Sequence, residues 1–283
     1  MAQQAIGRVQ WGDLTFGPGS PYSVTGIEGL DDLPAIRSED VDRPGQHGDY
    51  TGPDYTGARV VQLKLGLRGE TPDDLRALSI ALRNATQPQR QPAPLQFLDQ
   101  NILLWAKVRK RAIPYDAEYL WRIGDAALEL YCADPYLYGL EERSASTAAY
   151  SPSAGRTYPF VHPRVYGDAG TSGRLTAVND GASPAYPVLR LDGPVANPAI
   201  EQLDGGILTL DATLQVGEFL IIDTRSRAVL FMGSTPRRTW VRAGSAWPLL
   251  QPGPNEIAYR GSALPGAPGQ SSLLTVTWRD TSL

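Results

Sequence analysis

The sequence is poor in the residues that build most metal and redox centres. Cys132 is the only cysteine among 283 residues, and His47 and His162 are the only histidines. A single cysteine excludes an internal disulfide, and so few thiol and imidazole groups leave no zinc centre of ordinary composition. Lysine is nearly as scarce, with Lys64, Lys107 and Lys110 the only ones among 26 basic residues. A formal charge of -4 and a pI near 5.3 give no general basic surface of the kind that neutralises phosphates along a nucleic acid. Apolar runs are short, none approaching the roughly 18 to 20 residues of a membrane-spanning helix. Residues 1–11 also lack a charged start followed by an apolar stretch. The chain is therefore expected neither to insert in a membrane nor to be exported by a cleaved signal.

What is present points to a folded, mainly β protein. Hydrophobic residues make up 42% and charged residues 20%, too apolar and too weakly charged for a disordered chain. The length suits two domains, each with its own core. The 29 glycines and 24 prolines punctuate apolar runs of strand length. Val61, Leu63, Leu65 and Leu67 alternate with Gln62, Lys64 and Arg68, the period-2 pattern of a half-buried strand. Further strands are expected at 95–98, 102–108, 119–123 and 127–133. One helix is expected at 72–83, with Thr71 as cap, Pro72 in the first turn and Asp73 and Asp74 at the positive end of the dipole. Leu75, Leu78 and Leu82 form its apolar stripe.

From 144 to 172 the sequence turns to Ser, Thr, Ala, Pro, Gly and Tyr without a sustained period, and is expected to be a connector. Strands then recur at 175–178, 188–191, 207–210, 219–222, 228–232, 256–259 and 273–278, as in an antiparallel sandwich. The fifth and fourth of these flank a polar five-residue stretch, 223–227, which reads as a hairpin loop. Residues 1–145 hold 15 basic and 20 acidic groups, a net of -5, and the remainder 11 and 10, a net of +1.

Several motifs occur in an order that resembles one family. Arg43-Pro44-Gly45-Gln46-His47-Gly48-Asp49-Tyr50, the strand at 60–67 and the Leu-rich helix resemble the glycine-rich loop, strand and helix of phage distal tail proteins. Ala133-Asp134-Pro135-Tyr136 is similar to the motif that closes the amino-terminal domain of that family. Asn179-Asp180-Gly181, Pro184-Ala185-Tyr186-Pro187, Gly193-Pro194-Val195-Ala196-Asn197-Pro198, Ile221-Ile222-Asp223-Thr224, Pro252-Gly253-Pro254-Asn255 and Thr277-Trp278-Arg279-Asp280 resemble the carboxy-terminal domain of actinobacterial tail-component relatives of that family. Each alone is ordinary turn chemistry. Their order and spacing carry the resemblance.

The resemblance implies a β-rich, ring-forming domain with one helix at 1–143, a connector at 144–172 and a galectin-like antiparallel β-sandwich at 173–283. It implies a virion protein, assembled in the host cytoplasm, that forms a ring of six copies at the distal end of the tail. Its partners would be further copies of itself, the tail tube protein, the tape-measure protein and the tail-tip hub or other baseplate proteins. DNA would pass only transiently through the lumen, and no cofactor, metal or catalytic residue is implied.

His47 and Asp49 could form an acid–base pair, but they lie in a Gly/Pro loop without a nucleophile motif. Asp49-Tyr50-Thr51-Gly52 is repeated at once as Asp54-Tyr55-Thr56-Gly57; the pair lacks a calcium-loop pattern and reads as tandem turns bearing exposed, interface-type tyrosines. The run Lys107, Val108, Arg109, Lys110, Arg111 reads as a solvated edge or a subunit salt-bridge surface. Asp49, Tyr50, Asp54 and Tyr55 are therefore expected to contact Lys107, Arg109, Lys110 and Arg111 of an adjacent copy. Cys132 reads as a small core residue. A second reading makes the sandwich a carbohydrate-binding tail-tip module, with Trp240, Trp247 and Trp278 available to stack on sugars. A wall-degrading enzyme stands third, since no carboxylate pair is singled out by spacing.

Overall fold

The computed structural model describes residues 7–114, 123–150, 172–264 and 271–283. The chain divides into two units, Met1–Leu140 with Leu283, and Glu141–Ser282.

In the first unit the strands are β1 (Val9–Trp11), β2 (Leu14–Phe16), β3 (Tyr22–Glu28), β4 (Ile36–Ser38), β5 (Val41–Asp42), β6 (Asp49–Tyr50), β7 (Asp54–Thr56), β8 (Arg59–Arg68), β9 (Ala93–Phe97), β10 (Ile102–Ala112), β11 (Ile123–Cys132) and β12 (Leu137–Gly139). Helix α1 (Pro72–Ala85) follows β8. The main sheet runs β2-β1-β9-β10-β11-β8-β3, antiparallel throughout, with β12 paired to β10. Strict alternation on β8 sends Val61, Leu63, Leu65 and Leu67 into the core, the first three opposite the buried Leu130, Leu128 and Ala126 of β11. That period of two is what a sheet with one covered face requires.

Helix α1 starts where the sequence places its cap. Thr71 Oγ1 accepts from the Asp74 amide at 3.1 Å, and the Asp74 carboxylate accepts from the Thr71 amide at 2.9 Å, a reciprocal capping box. Leu75 and Leu82 are fully buried against the sheet, each worth about 1.5 to 3 kcal/mol of apolar burial. The helix ends at Ala85, where Thr86 donates its amide to the Leu82 carbonyl at 3.0 Å.

In the second unit two antiparallel sheets enclose a single core. One sheet runs β13 (Arg143–Ala148), β23 (Leu273–Trp278), β15 (Val188–Asp192), β19 (Phe219–Asp223), β20 (Ala228–Phe231), β21 (Thr235–Pro236). The other runs β14 (Arg174–Asn179), β22 (Gly253–Ser262), β16 (Val195–Gln202), β17 (Gly206–Thr209), with β18 (Thr213–Leu214) also on β16. Leu189, Leu191, Leu220, Ile222, Leu274 and Val276 from the first sheet meet Leu175, Ile200, Leu208, Ile257 and Tyr259 from the second. This is the expected sandwich, built on inward-facing alternate residues.

Several details differ from the sequence reading. Ser144 to Ala148 are not connector but the greater part of β13, which pairs along its whole length with β23 from Arg143↔Trp278 to Ala148↔Leu273. Small residues in this stretch gave no hydrophobic period, because β13 is an edge strand that buries little. Asp223 pairs with Ala228, so the β19–β20 loop holds four residues and not five. Strand β16 carries Asn197 and Pro198, read as turn residues; its register shifts between Ala196 and Ala199, and Asn197 takes φ 47°. That irregularity is where a strand tolerates proline. Residues 151–171 of the expected connector, and 119–122 of one expected strand, lie outside the described residues.

Candidate functional site

The stretch 36–56 leaves the main sheet as a two-stranded arm. Strand β4 pairs with β7 through Ile36↔Thr56, Arg37↔Tyr55 and Ser38↔Asp54, and β5 pairs with β6 through Val41↔Tyr50 and Asp42↔Asp49. The tip is a tight turn in which the Arg43 amide donates to the Gly48 carbonyl and the Gln46 amide to the Arg43 carbonyl. Midway, the Gly52 amide donates to Asp40 at 2.8 Å, and a β-carbon at Gly52 would run into the Glu39 carbonyl, so glycine is required there for the two branches to close. Asp40 is held below the usual carboxylate range by hydrogen bonds from Ser38 and from the Gly52 amide.

Both branches are solvent-exposed. Val41 is 63% accessible, Tyr50 59%, Ile36 51% and Tyr55 51%, while Arg43 lies over the Tyr50 ring at 4.9 Å. Residues 31–57 carry seven carboxylates against Arg37 and Arg43, a net of -5. The sequence reading confined this region to a loop at 43–57 with tandem turns. The structure makes it a ladder that starts at Ile36, with both Asp-Tyr pairs on the returning branch.

The root of the arm is fixed by Arg59, which is 2% exposed. Its guanidinium donates to the carbonyls of Leu30 (2.5 Å), Asp32 (2.7 Å), Pro135 (2.9 Å) and Gly29 (3.2 Å). Gly29 has φ 81° and sits so close to the Val60 carbonyl that no side chain fits. Asp134, in the motif preceding β12, accepts from Tyr138 Oη at 2.6 Å and thereby sets the turn whose Pro135 carbonyl Arg59 uses. The sequence singled out this motif but not Arg59, because nothing in a strand-initial arginine announces its burial.

The sheet face opposite α1 is open and bears all three lysines of the chain. Lys107, Tyr131 and Val60 form one cross-strand row, with Lys110, Glu129 and Gln62 in the next and Lys64 beyond, where it pairs with Glu28. Trp105 stands beside them, 43% exposed, and Arg109 stacks on Tyr131 at 4.6 Å. Arg111 points the other way. It donates to the carbonyl oxygens of Arg83 (2.8 Å) and Thr86 (3.3 Å) and to Thr86 Oγ1 (2.9 Å), so this residue is engaged with the helix C-terminus of its own chain. The expected basic run is thus split between the two faces of β10. Among the described residues no ion pair links Asp49 or Asp54 to Lys107, Arg109, Lys110 or Arg111.

His47 and Asp49 lie in the exposed arm, and Cys132 is fully buried, its thiol pushed up to about 12 chiefly by desolvation. Among the described residues no group of three or more His, Cys, Asp or Glu could hold a metal, and no helix is long and apolar enough to cross a membrane. Of the tryptophans offered for sugar stacking, Trp278 is 6% exposed and donates to the Val178 carbonyl at 2.9 Å. Trp240 packs edge-on against Phe231 under Arg237, and Trp247 lies beneath Arg238 at 4.2 Å.

Two of the second-half motifs centre on buried asparagines. Asn179 donates to the carbonyls of Ser183 and Leu250 and accepts from the amides of Gly181 and Thr281. Asn255 bridges Gln251, Gly253 and Gln202. Arg143 holds Asp180 and Asp280 at 2.7 and 2.8 Å.

Two family models match successive parts of the chain. A phage tail protein RIFT-related domain matches residues 19–132, and the C-terminal domain of the siphovirus-type tail component matches residues 180–280. The SPP1 Dit (gp 19.1) protein, described as a paradigm of the hub adsorption apparatus in phages that infect Gram-positive bacteria, is 15% identical with a TM-score of 0.64 over 93% of this chain and 94% of that one. A chain of the phage p2 baseplate, in its activated conformation with Sr, is 11% identical with a TM-score of 0.50 over 95% of this chain and 96% of that one. At these identities the likeness is one of fold. No curated protein matches the chain. Two β-rich units that fall to two tail-protein models define a structural component of a phage tail. Residues 19–132 and 180–280 thus fall to siphovirus-type tail-component domains, which together support a distal tail protein whose place is the virion tail.

Proposed function

We propose that this protein forms a ring of six copies at the distal end of the tail, joining the tail tube to the tail-tip hub and baseplate proteins. The first unit builds the ring. The tape-measure protein and then the DNA leave through the lumen, and the acidic balance of the first 145 residues, a net of -5, disfavours retention of DNA there. The role is adaptor, without catalysis.

The observation that carries this reading is the arm: a rigidly rooted, acidic ladder with four large apolar side chains more than half exposed. A free two-stranded ribbon has no core of its own and is marginal in water, so it gains its stability on a partner. The partner surface of matching chemistry is the open sheet face of the next copy, with Lys110 and Arg109 for the carboxylates and Trp105, Tyr131 and Val60 for the tyrosines; Lys64 and Lys107 on that face are held by Glu28 and by the Arg90 carbonyl. Exposed ion pairs contribute only about 0 to 1 kcal/mol each, so aromatic burial supplies most of the affinity.

The test is a variant in which residues 38–54 are replaced by a two-glycine turn. It is expected to fold, to be absent from purified tails and to leave tails incomplete at the tip in electron micrographs. Tails that contain the shortened protein as a complete ring would sink the proposal.

A further inference from the structure

We propose that the second unit joins a second copy of the chain edge to edge, with β13 pairing antiparallel to β13 of that copy about a two-fold axis at Ser146. This goes beyond the ring and does not depend on it, since the arm and the open sheet face lie in the first unit. A sheet edge is a row of unpaired N–H and C=O groups, and folded proteins blunt such rows with charge, proline, a bulge or a cover. The edges of the second unit differ in this respect. Strand β17 is covered by the Arg242 and Ala246 amides, which donate to the Thr209 and Ile207 carbonyls. Strand β21 is two residues long and ends on Pro236. On β14 the Val178 carbonyl accepts from the Trp278 indole at 2.9 Å, and the Arg174 amide donates to Ser172 Oγ at 3.4 Å.

Strand β13 has none of these devices. It runs from Arg143 to Ala148 in unbroken register with β23, and from Ser144 to Ala149 the sequence carries no charge and no proline. The Ala149 amide donates to the Ser272 carbonyl at 3.0 Å, which fixes the phase of the ladder. Antiparallel hydrogen bonds alternate, so Ser144, Ser146 and Ala148 turn their N–H and C=O groups away from β23. Ser144 and Ser146 are exposed. Of these outward main-chain groups the Ala148 carbonyl alone has a neighbour among the described residues, the Thr147 hydroxyl at 3.3 Å.

The chemistry of the strand selects a second copy as the occupant. Self-pairing centred on Ser146 sets Ser146 against itself and Ser144 against Ala148 of the second copy, the register that joins every outward donor to an outward acceptor. Directly opposite residues lie about 4.5 to 5.5 Å apart, where like charges repel. Here every facing side chain is Ser, Ala or Thr, and the first charge, Arg143, lies beyond these pairs. A strand added from another protein draws its specificity from pockets for alternate side chains, and β13 offers it neither pocket nor charge. The two-fold contact uses the same patch on both copies and so stops at two.

The experiment is thiol cross-linking of the purified full chain, whose native cysteine, Cys132, is fully buried. Ser146→Cys should form a covalent dimer rapidly with a short bis-maleimide, because the two-fold axis places the paired Cα atoms about 5.5 Å apart. Ser144→Cys should not, since its two copies stand four residues out of register, about 14 Å apart. In the Ser146→Cys background, Ser144→Asp with Ala148→Asp sets carboxylate against carboxylate and should slow cross-linking at least about fivefold, whereas Ser144→Lys with Ala148→Asp pairs opposite charges and should preserve it. Each variant should keep the wild-type melting temperature. No assembled tail is needed, so the outcome is independent of the ring. Absence of a dimer in Ser146→Cys, an equal yield in Ser144→Cys, undiminished cross-linking in the Asp/Asp variant or its loss in the Lys/Asp variant would overturn the proposal.

Discussion

The guanidinium of Arg59 meets four backbone carbonyls, three from 29–32 at the outgoing root of the arm and one from Pro135. A buried carbonyl left without a donor costs roughly 1 to 3 kcal/mol, so Arg59→Met should lower unfolding stability by about 3 kcal/mol or more. Arg59→Lys keeps the charge but loses the planar fork and should recover only part of this. Denaturant melts check both; a loss below about 1 kcal/mol in Arg59→Met would mean that water replaces the guanidinium. Burial acts on two other residues in the same core-ward sense. Desolvation raises Cys132 and Tyr259 from ordinary values near 9 and 10 to about 12, with a Ser272 hydrogen bond opposing it at Tyr259. Both folded values lie above the unfolded ones, so the stability they contribute is full below about pH 9 and is lost as pH rises towards 12. Melting temperature should therefore fall across that window. At pH 8 the native thiol should resist iodoacetamide and react only in denaturant, and rapid native alkylation would contradict the burial.

Elements were legible where a chain-internal partner imposed a pattern. Strand β8 was readable because one of its faces is covered, and α1 because its cap, first-turn proline and leucine stripe agree. Thr71→Ala should thus cost about 1 kcal/mol in thermal unfolding, with helix content otherwise kept. The arm was readable only as an irregular loop, since neither face is buried in its own chain and no hydrophobic period develops. The basic run at 107–111 misled for a related reason. A strand sends neighbours to opposite faces, and the register shift between Val108 and Lys110 hides which residue goes where. Strand β13 was lost to composition, and it supports a prediction. A fragment starting at Glu141 carries the edge strand that completes the first sheet of the sandwich, whereas one starting at Gly173 leaves β23 with an unpaired edge. The longer fragment should melt cooperatively and at higher temperature, and the shorter one should aggregate. Equal melting of the two would show that β13 adds nothing.

At the scale of the whole molecule, charge and aromatic surface separate into complementary places within one chain, the net -5 of residues 31–57 and the lysines of the open sheet face. Because the donor and acceptor patches differ, they suit a head-to-tail contact between copies, which gives the proposed ring when the rotation closes and an open filament when it does not. Replacing Tyr50 and Tyr55 together with alanine removes two half-exposed rings that touch no core. The double variant should keep the wild-type circular dichroism and melting temperature, because surface substitutions of this sort stay within about 0.5 kcal/mol. On the proposed ring contact, in which those rings bury on a neighbour, it should nevertheless enter tails poorly. Replacing Asp49 and Asp54 with asparagine should weaken incorporation less, and chiefly at low salt, as rim charges do. The readout is the amount of this protein, relative to the tail tube protein, in tails assembled with each variant. If the tyrosine pair is incorporated normally while the aspartate pair is not, electrostatics and not aromatic burial holds the arm, and the contact surface must be reassigned to the carboxylate-bearing root at 31–42.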